Sequence, residues 1–433
     1  MSVTNFMAFI SLGLLSYASF RFSHLVYGDY FTPVGIFIGI NLASLSLYQL
    51  NLLPLTPVSA QAYTLIAASL FSFLVGVLMA SPSFVLTRKP LIRENLFSGC
   101  VKTPRGLSLF YYLTASFGIA GWIFYVTVIV PPGWLSNPWM LQGDYVFPYH
   151  LGYSLVSGAL VLPTFVLLTL ARRRVTLPSL CFLLGNVFAL ALCGIKTYLV
   201  IGLATSLLVW SAACPGRIRM KHLAIAAICL IGFMALYDRF IDVFVIHKFP
   251  GSKFPAALSF LESPYIYIVG PWSAMSVVMA NPPAQAHWGQ VTLLPIWMLL
   301  GPGGLGIMER VPKYLPFVNI GASDFNTYSL IGEVYYDFGW LGSILVCFIL
   351  GFVSTRLYIV ARKRGNWILY LLSALFSYGL FISFFAYYYR DVLTFLVLYT
   401  LIVGRLSKKV SGALKRLAAN VSDRQSAFRE AVS

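Results

Sequence analysis

Acidic residues are scarce in this chain, 13 Asp and Glu in 433 positions, and charged residues of both signs make up only 10% of it. Soluble domains carry about a quarter charged residues, so that class is excluded. Cysteine is sparse as well. The six (Cys100, Cys181, Cys193, Cys214, Cys229 and Cys347) show neither paired nor metal-ligand spacing. Most lie in apolar runs, where a thiol acts as a small hydrophobe, so neither a disulfide scaffold nor a thiolate metal site is expected. Internal repeats, low-complexity segments and an Asp-x-Asp motif are lacking too. The first apolar run has no basic lead and no small-residue cleavage site, which predicts a retained helix and not a removable signal peptide.

What the chain has in abundance is apolar surface, 59% hydrophobic and 16% aromatic residues. A bilayer core of roughly 30 Å takes about 20 apolar residues per helix. Eleven such windows recur, at about 4–20, 31–50, 61–86, 107–131, 151–170, 176–195, 197–213, 223–238, 338–358, 367–387 and 391–404. The sequence therefore predicts one all-α, polytopic membrane domain over residues 1–433.

The net charge of +17 is distributed by side. Sorting the 30 Lys and Arg by the connections between windows puts 23 together: Arg21; Arg88, Lys89, Arg93, Lys102 and Arg105; Arg172, Arg173 and Arg174; Arg217, Arg219 and Lys221; Arg356, Arg362, Lys363 and Arg364; and seven in the tail 405–433. The positive-inside rule makes that side cytoplasmic and the N terminus extracytoplasmic. The tail reads as a topology and lipid-surface anchor, and nucleic acid is not an expected partner. The other seven (Lys196, Arg239, Lys248, Lys253, Arg310, Lys313 and Arg390) share the outer side with nine of the 13 acids. Charges held against the orientation rule beside a membrane call for a use.

Short connections give way once, to an outer segment at 239–337. It contains "SPYIYIVGPWSAMSVVMANPP" and "VTLLPIWMLLGPGGLGIM", apolar stretches broken by Gly and Pro. These read as interfacial or re-entrant helices, although a thirteen-span count would also leave both ends of the segment outside. "GPGGLG" at 301–306 matches the dinucleotide fingerprint in letters but follows no strand, so it reads as an irregular connector. His247 and His287 lack ligand spacing, and no Ser-His-Asp signature is visible.

The outer charges cluster at a few points. "SDFNTYSLIGEVYYDFGWLGS" at 323–343 runs three carboxylates into an apolar span, with Glu333 and Asp337 four apart on one helix face. Like charges at that spacing suit general-base work or the holding of an arginine. Asn326, Thr327, Tyr328, Tyr335 and Tyr336 supply amide, hydroxyl and flat rings, which grip sugars by hydrogen bonding and stacking; an aromatic membrane belt explains the tyrosines alone. Lys196 lies in the turn "CGIKTYLV", Arg239 follows Asp238 at a span mouth, and Arg390 ends "AYYYRDVL". Each suits anion binding, set against snorkelling to water or plain ion pairing. Arg310 and Lys313 read as a solvated rim.

"NIGASDFNTYSLIGEVYYDFGWLGSILVCFILGF" resembles the C-terminal signature of the Wzy-type O-antigen polymerases, an Asn-Thr-Tyr element and a Tyr-x-Asp-Phe-Gly-x-x-Gly lead-in to a span. "YIYIVGPWSAM", with Tyr265 and Tyr267, is similar to the family's segment opening the large periplasmic loop. "LCGIKTYLVIGL" resembles its Gly-x-Arg-Thr turn, with Lys196 where an arginine is usual, which keeps the charge and loses the planar fork. The resemblance spans roughly 190–400. It implies a bundle akin to the C-class membrane glycosyltransferases in the bacterial inner membrane. There the enzyme polymerises undecaprenyl-pyrophosphate-linked repeat units at the periplasmic face, without metal or other cofactor. Glu333, Asp337 and Arg390 would be catalytic; Arg239, Lys196, Asn326, Thr327, Tyr328, Tyr335, Tyr336, Tyr265 and Tyr267 would bind pyrophosphate or sugar. Membrane lipids and a chain-length regulator are the expected partners. An O-antigen ligase, favoured by a functional His247 or His287, and a flippase, favoured by inverted repeats, stay open as alternatives.

Overall fold

The computed structural model of the chain describes residues 2–81, 106–129, 156–172, 175–192, 196–214, 225, 228, 232, 249, 251–282, 289–300, 305–306 and 315–432. In chain order it comprises α1 (Val3–Tyr27), a π turn (Gly35–Gly39) running into α2 (Ile40–Tyr48), α3 (Ala60–Ala80) and α4 (Leu107–Phe124). There follow α5 (Val161–Arg172), α6 (Leu177–Leu192), α7 (Lys196–Ala213), α8 (Glu262–Ala280) and α9 (Leu294–Leu300). A two-residue hairpin, β1 (Val318–Asn319) and β2 (Asp324–Phe325), leads to α10 (Ser329–Arg364), α11 (Trp367–Phe381) and α12 (Asp391–Val432). The two strands pair antiparallel, Val318 with Phe325 and Asn319 with Asp324.

Helices occupy ten of the eleven apolar windows, and the window at 223–238 lies outside the described residues but for three positions. Among the described residues four helices, Val3–Tyr27, Ala60–Ala80, Leu107–Val128 and Ser329–Arg364, are long and apolar enough to cross a membrane, and five apolar helices are shorter. A helix bonds its own backbone polar groups, which is what hydrocarbon demands. The chain is an all-α, membrane-embedded protein.

Contacts divide the chain into two compact units: Met1–Ile92, Cys214–Lys363 and Phe376–Thr394 in the first; Arg93–Ala213, Arg364–Leu375 and Phe395–Ser433 in the second. In the first, α3 and α10 meet backbone to backbone. A Cβ on Gly76 would stand 2.2 Å from the Phe348 carbonyl oxygen and one on Gly351 2.3 Å from that of Phe73. Ser72 donates to the Ile344 carbonyl at 2.7 Å beside them. Small residues at such crossings let helices approach where lipid gives no hydrophobic drive.

Two sets of polar groups tie the first unit together away from the start of α10. At one, Tyr358 donates to Asp29 (2.8 Å), Arg362 donates to the Tyr27 carbonyl and to the Tyr358 hydroxyl (2.8 Å each), and Tyr27 meets Ser81 (3.1 Å). At the other, the connector 49–59 is stitched to later segments: Thr56 N–H to the Ile320 carbonyl, Lys253 N–H to that of Leu52, and Lys253 Nζ to that of Asn51. Helix α8 bonds this connector and the adjoining α2 along its own length, through Tyr265 to the Leu47 carbonyl, Ser273 to that of Thr56 and Ser276 to the Ser59 N–H. A helix whose start and end both touch one short connector lies across the ends of α2 and α3.

In the second unit Asn186 of α6 donates to the Ala115 carbonyl at 3.1 Å and fits between Gly118 and Gly158. Tyr399 meets Thr114 at 3.2 Å, and Lys408 donates to Asn366 at 2.6 Å over the Trp367 ring. At about 1.5 Å per residue, the 42 residues of α12 reach roughly 63 Å, twice a bilayer core, so residues 405–432 carry the basic tail on the same helix.

Candidate active site

The site forms in the first unit, where α10 begins. Ser329 adopts a left-handed conformation (φ 60) and its hydroxyl accepts the Gly332 N–H at 3.3 Å, so it caps the helix. The helix runs only to Gly339, whose φ of 67 and ψ of −159 break it. A left-handed residue is cheap only as glycine. Ser343 bridges the break, its hydroxyl reaching the carbonyls of Ile331 (3.2 Å) and Gly339 (3.3 Å). The Gly of the "DFG" lead-in is therefore the joint between a short site helix and the longer apolar run beyond.

Glu333 and Asp337 both lie on that short helix and both are buried, but they serve different partners. Asp337 is saturated. Its carboxylate accepts the Val291 N–H (3.1 and 3.0 Å), the Thr292 N–H (2.7 Å) and the Thr292 hydroxyl (2.7 Å), and so fastens the turn that opens α9. Glu333 is fully buried and its Oε2 accepts the Tyr387 N–H at 3.1 Å. Arg390 lies 3.7 Å from the same oxygen, its side chain 20% exposed. Glu333 Oε1 and Thr327 Oγ1 are buried without a hydrogen-bond partner among the described residues. A buried carboxylate oxygen with an unused lone pair beside a part-exposed guanidinium can accept a hydroxyl proton and bind an anion at one place.

The segment 382–390 supplies the second half of the site. Helix α11 ends at Phe381, short of the predicted 387, because the chain folds into turns: Ser383 N–H bonds the Leu380 carbonyl and Phe385 N–H that of Ile382. The segment then docks on the start of α10, its Ser383 and Phe385 carbonyls accepting the Leu330 (2.7 Å) and Ser329 (3.1 Å) N–H groups. Behind Arg390, Tyr389 donates to the Phe376 carbonyl at 2.6 Å, and its ring fills the space where a Cβ on Gly379 would stand.

The other residues expected from the sequence are placed as follows. Tyr328 is fully buried; its hydroxyl donates to the Pro316 carbonyl, and burial with Tyr336 and Glu333 nearby raises its phenol above the usual range. Tyr265 is buried and bonds backbone at Leu47 and Leu52. Tyr336 is buried beside Tyr328, while Tyr335, Asn326 and Thr327 are half-buried. Tyr267 is 39% exposed and packs against Phe325 and Phe385, the most open ring of the group. Lys196 opens α7 in the second unit. Arg239, Arg310, Lys313, His247 and His287 lie outside the described residues. Sequence reasoning passed over Thr292, Ser383 and Asn41, whose lone polar side chains carry no motif.

A membrane-embedded helical protein with a buried carboxylate and arginine meeting at one helix end is the class that fold and site define. The family model "O-antigen polysaccharide polymerase Wzy" matches residues 326–409, which hold Glu333, Asp337, Arg390 and both segments carrying them. The match supports assignment of the chain to the Wzy-type O-antigen polymerase family, as the resemblance implied. No curated protein and no solved structure matches the chain.

Proposed function

We propose that this protein polymerises undecaprenyl-pyrophosphate-linked oligosaccharide repeat units at the periplasmic face of the bacterial inner membrane. It crosses that membrane eleven times as a bundle akin to the C-class glycosyltransferases. The observation that carries the reading is the family match falling on the segment where Glu333 and Arg390 meet.

In this reading a hydroxyl oxygen of the incoming unit attacks the anomeric carbon of the growing chain. The bond from that carbon to the lipid pyrophosphate breaks, and the pyrophosphate leaves with the electron pair. Glu333 takes the hydroxyl proton through Oε1. Arg390 neutralises charge that develops on the leaving phosphate, the larger need for a good leaving group. Asp337 acts by holding the α9 turn in place. Arg239 extends the pyrophosphate site, and Tyr267, Tyr335, Asn326 and Thr327 line the sugar path. Charge neutralisation by side chains makes the reaction metal-independent. Membrane lipids surround the bundle, and a chain-length regulator is its partner.

Deleting the gene is the test: cells are expected to carry a single repeat unit on the acceptor lipid in place of a ladder. Complete loss of that first unit overturns the reading in favour of a ligase or a flippase.

A further inference from the structure

Asn41 sits on α2, far in sequence from the matched segment, and is fully buried. Its amide nitrogen donates to the Phe37 carbonyl and to the Ser383 hydroxyl, both at 2.7 Å, while its Oδ1 is buried with no hydrogen-bond partner. An unused buried acceptor costs stability, which the two bonds of the amide nitrogen offset. The amide reaches the residue on which the segment 382–390 hangs. The Ser383 carbonyl takes the Leu330 N–H, the Phe385 carbonyl takes the Ser329 N–H, and the Tyr387 N–H reaches Glu333. Arg390 follows three residues later.

The anchor behind Asn41 is rigid. The π turn Gly35–Gly39 leads straight into α2, and such wide turns gather at functional sites. Its glycines admit no side chain: a Cβ on Gly35 would meet the Tyr30 carbonyl oxygen at 2.4 Å, and one on Gly39 the Phe20 ring at 2.6 Å. The Phe37 carbonyl that Asn41 grips is part of this turn. A fixed helix therefore sets the position of Ser383, and Ser383 sets the register of the Tyr387 N–H and Arg390 against Glu333.

We propose that Asn41 is a positioning residue for the Glu333 and Arg390 pair, acting through Ser383. This rests on the reading of that pair as the reacting centre. The experiment uses the full chain in lipid nanodiscs with lipid-linked repeat unit, comparing Asn41→Leu, Ser383→Ala, Ser383→Thr and Glu333→Gln. Asn41→Leu removes the unused Oδ1 but leaves the Ser383 hydroxyl without its donor, so it is expected to melt near the wild-type temperature yet to turn over about 10- to 100-fold more slowly at saturating substrate, with half-saturation unchanged, since a misplacement near 1 Å costs that much. Ser383→Ala should match it, and Ser383→Thr should recover most of the rate. Combined with Glu333→Gln, Asn41→Leu should cost nothing further, because both act on one element.

A wild-type rate in Asn41→Leu, an additive loss in the double variant, or a melting temperature that falls with the rate each overturns the proposal. If Asn41→Leu does not fold, the Ser383 pair decides alone: equal rates in Ala and Thr overturn it. Glu333→Gln at the wild-type rate overturns the reading of the centre, and the proposal with it. An inactive Glu333→Gln beside a fully active Asn41→Leu overturns the proposal only.

Discussion

Asp337 and Thr292 are joined twice, the Oδ2 oxygen accepting both the backbone N–H and the hydroxyl of Thr292 at 2.7 Å. One helical turn earlier, Glu333 leaves an oxygen unbonded in the interior. Two carboxylates of the same face thus divide into one that fastens a turn and one that keeps an oxygen without a hydrogen bond.

That division predicts opposite phenotypes. Asp337→Ala strands the Val291 and Thr292 N–H groups, and losing a buried charged partner costs about 3 kcal/mol. A clearly lower melting temperature in detergent is expected. Glu333→Gln keeps size and burial, so the melting temperature should hold while turnover falls on the order of 10²- to 10³-fold. The reverse pattern, a stable inactive Asp337→Ala beside an active Glu333→Gln, would exchange the roles.

Arg390 offers a second test through its shape. A lysine supplies the charge but not the planar fork that pairs with carboxylate and phosphate together. Arg390→Lys is expected to keep part of the activity and Arg390→Ala to lose it by on the order of 10²-fold or more. Arg310→Ala should stay near wild type. Equal activity in Arg390→Ala and Arg310→Ala would mark Arg390 as an ordinary interfacial charge.

The spacing of Glu333 and Asp337 made their shared face legible, and hydropathy located nearly every helix. Their separate duties were not legible, because the partners lie 45 and 54 residues away, at Thr292 and Tyr387. The tyrosines carried an ambiguous signal for a related reason. An aromatic near a membrane interface reads the same whether its ring is part-exposed, as in Tyr267, or buried with its hydroxyl on a backbone carbonyl, as in Tyr328 and Tyr265. Asn41 was silent, since one asparagine in an apolar window looks like any tolerated polar residue until Ser383, 342 positions on, is set beside it.

The crossing of α3 and α10 predicts a stability effect with no motif behind it. A side chain at Gly76 or Gly351 meets backbone, which cannot yield as a flexible side chain can. Gly76→Val and Gly351→Val should each destabilise by about 1 to 3 kcal/mol, the usual cost of overpacking. Thermal unfolding in nanodiscs measures it. Gly412→Ala, where nothing stands within 4 Å, is the control and should be neutral or slightly stabilising.

Topology gives the last prediction, and here charge and geometry can be made to check each other. The basic residues place 100, 174 and 364 inside and 290 outside. Independently, the connector 49–59 is bonded to Lys253, Ser276 and Ile320, so it shares a side with the residues that flank 290 on either hand. Alkaline phosphatase fused at 54 and at 290 should therefore be active, and fusions at 100, 174 and 364 silent. Activity at 54 but not at 290 would mean that α8 spans the membrane and that the α9 stretch returns across it, which restores the thirteen-span count. A silent pair at 54 and 290 would invert the protein, and the buried Glu333 with its arginine would then face the cytoplasm, where a periplasmic polymerase has no use for it.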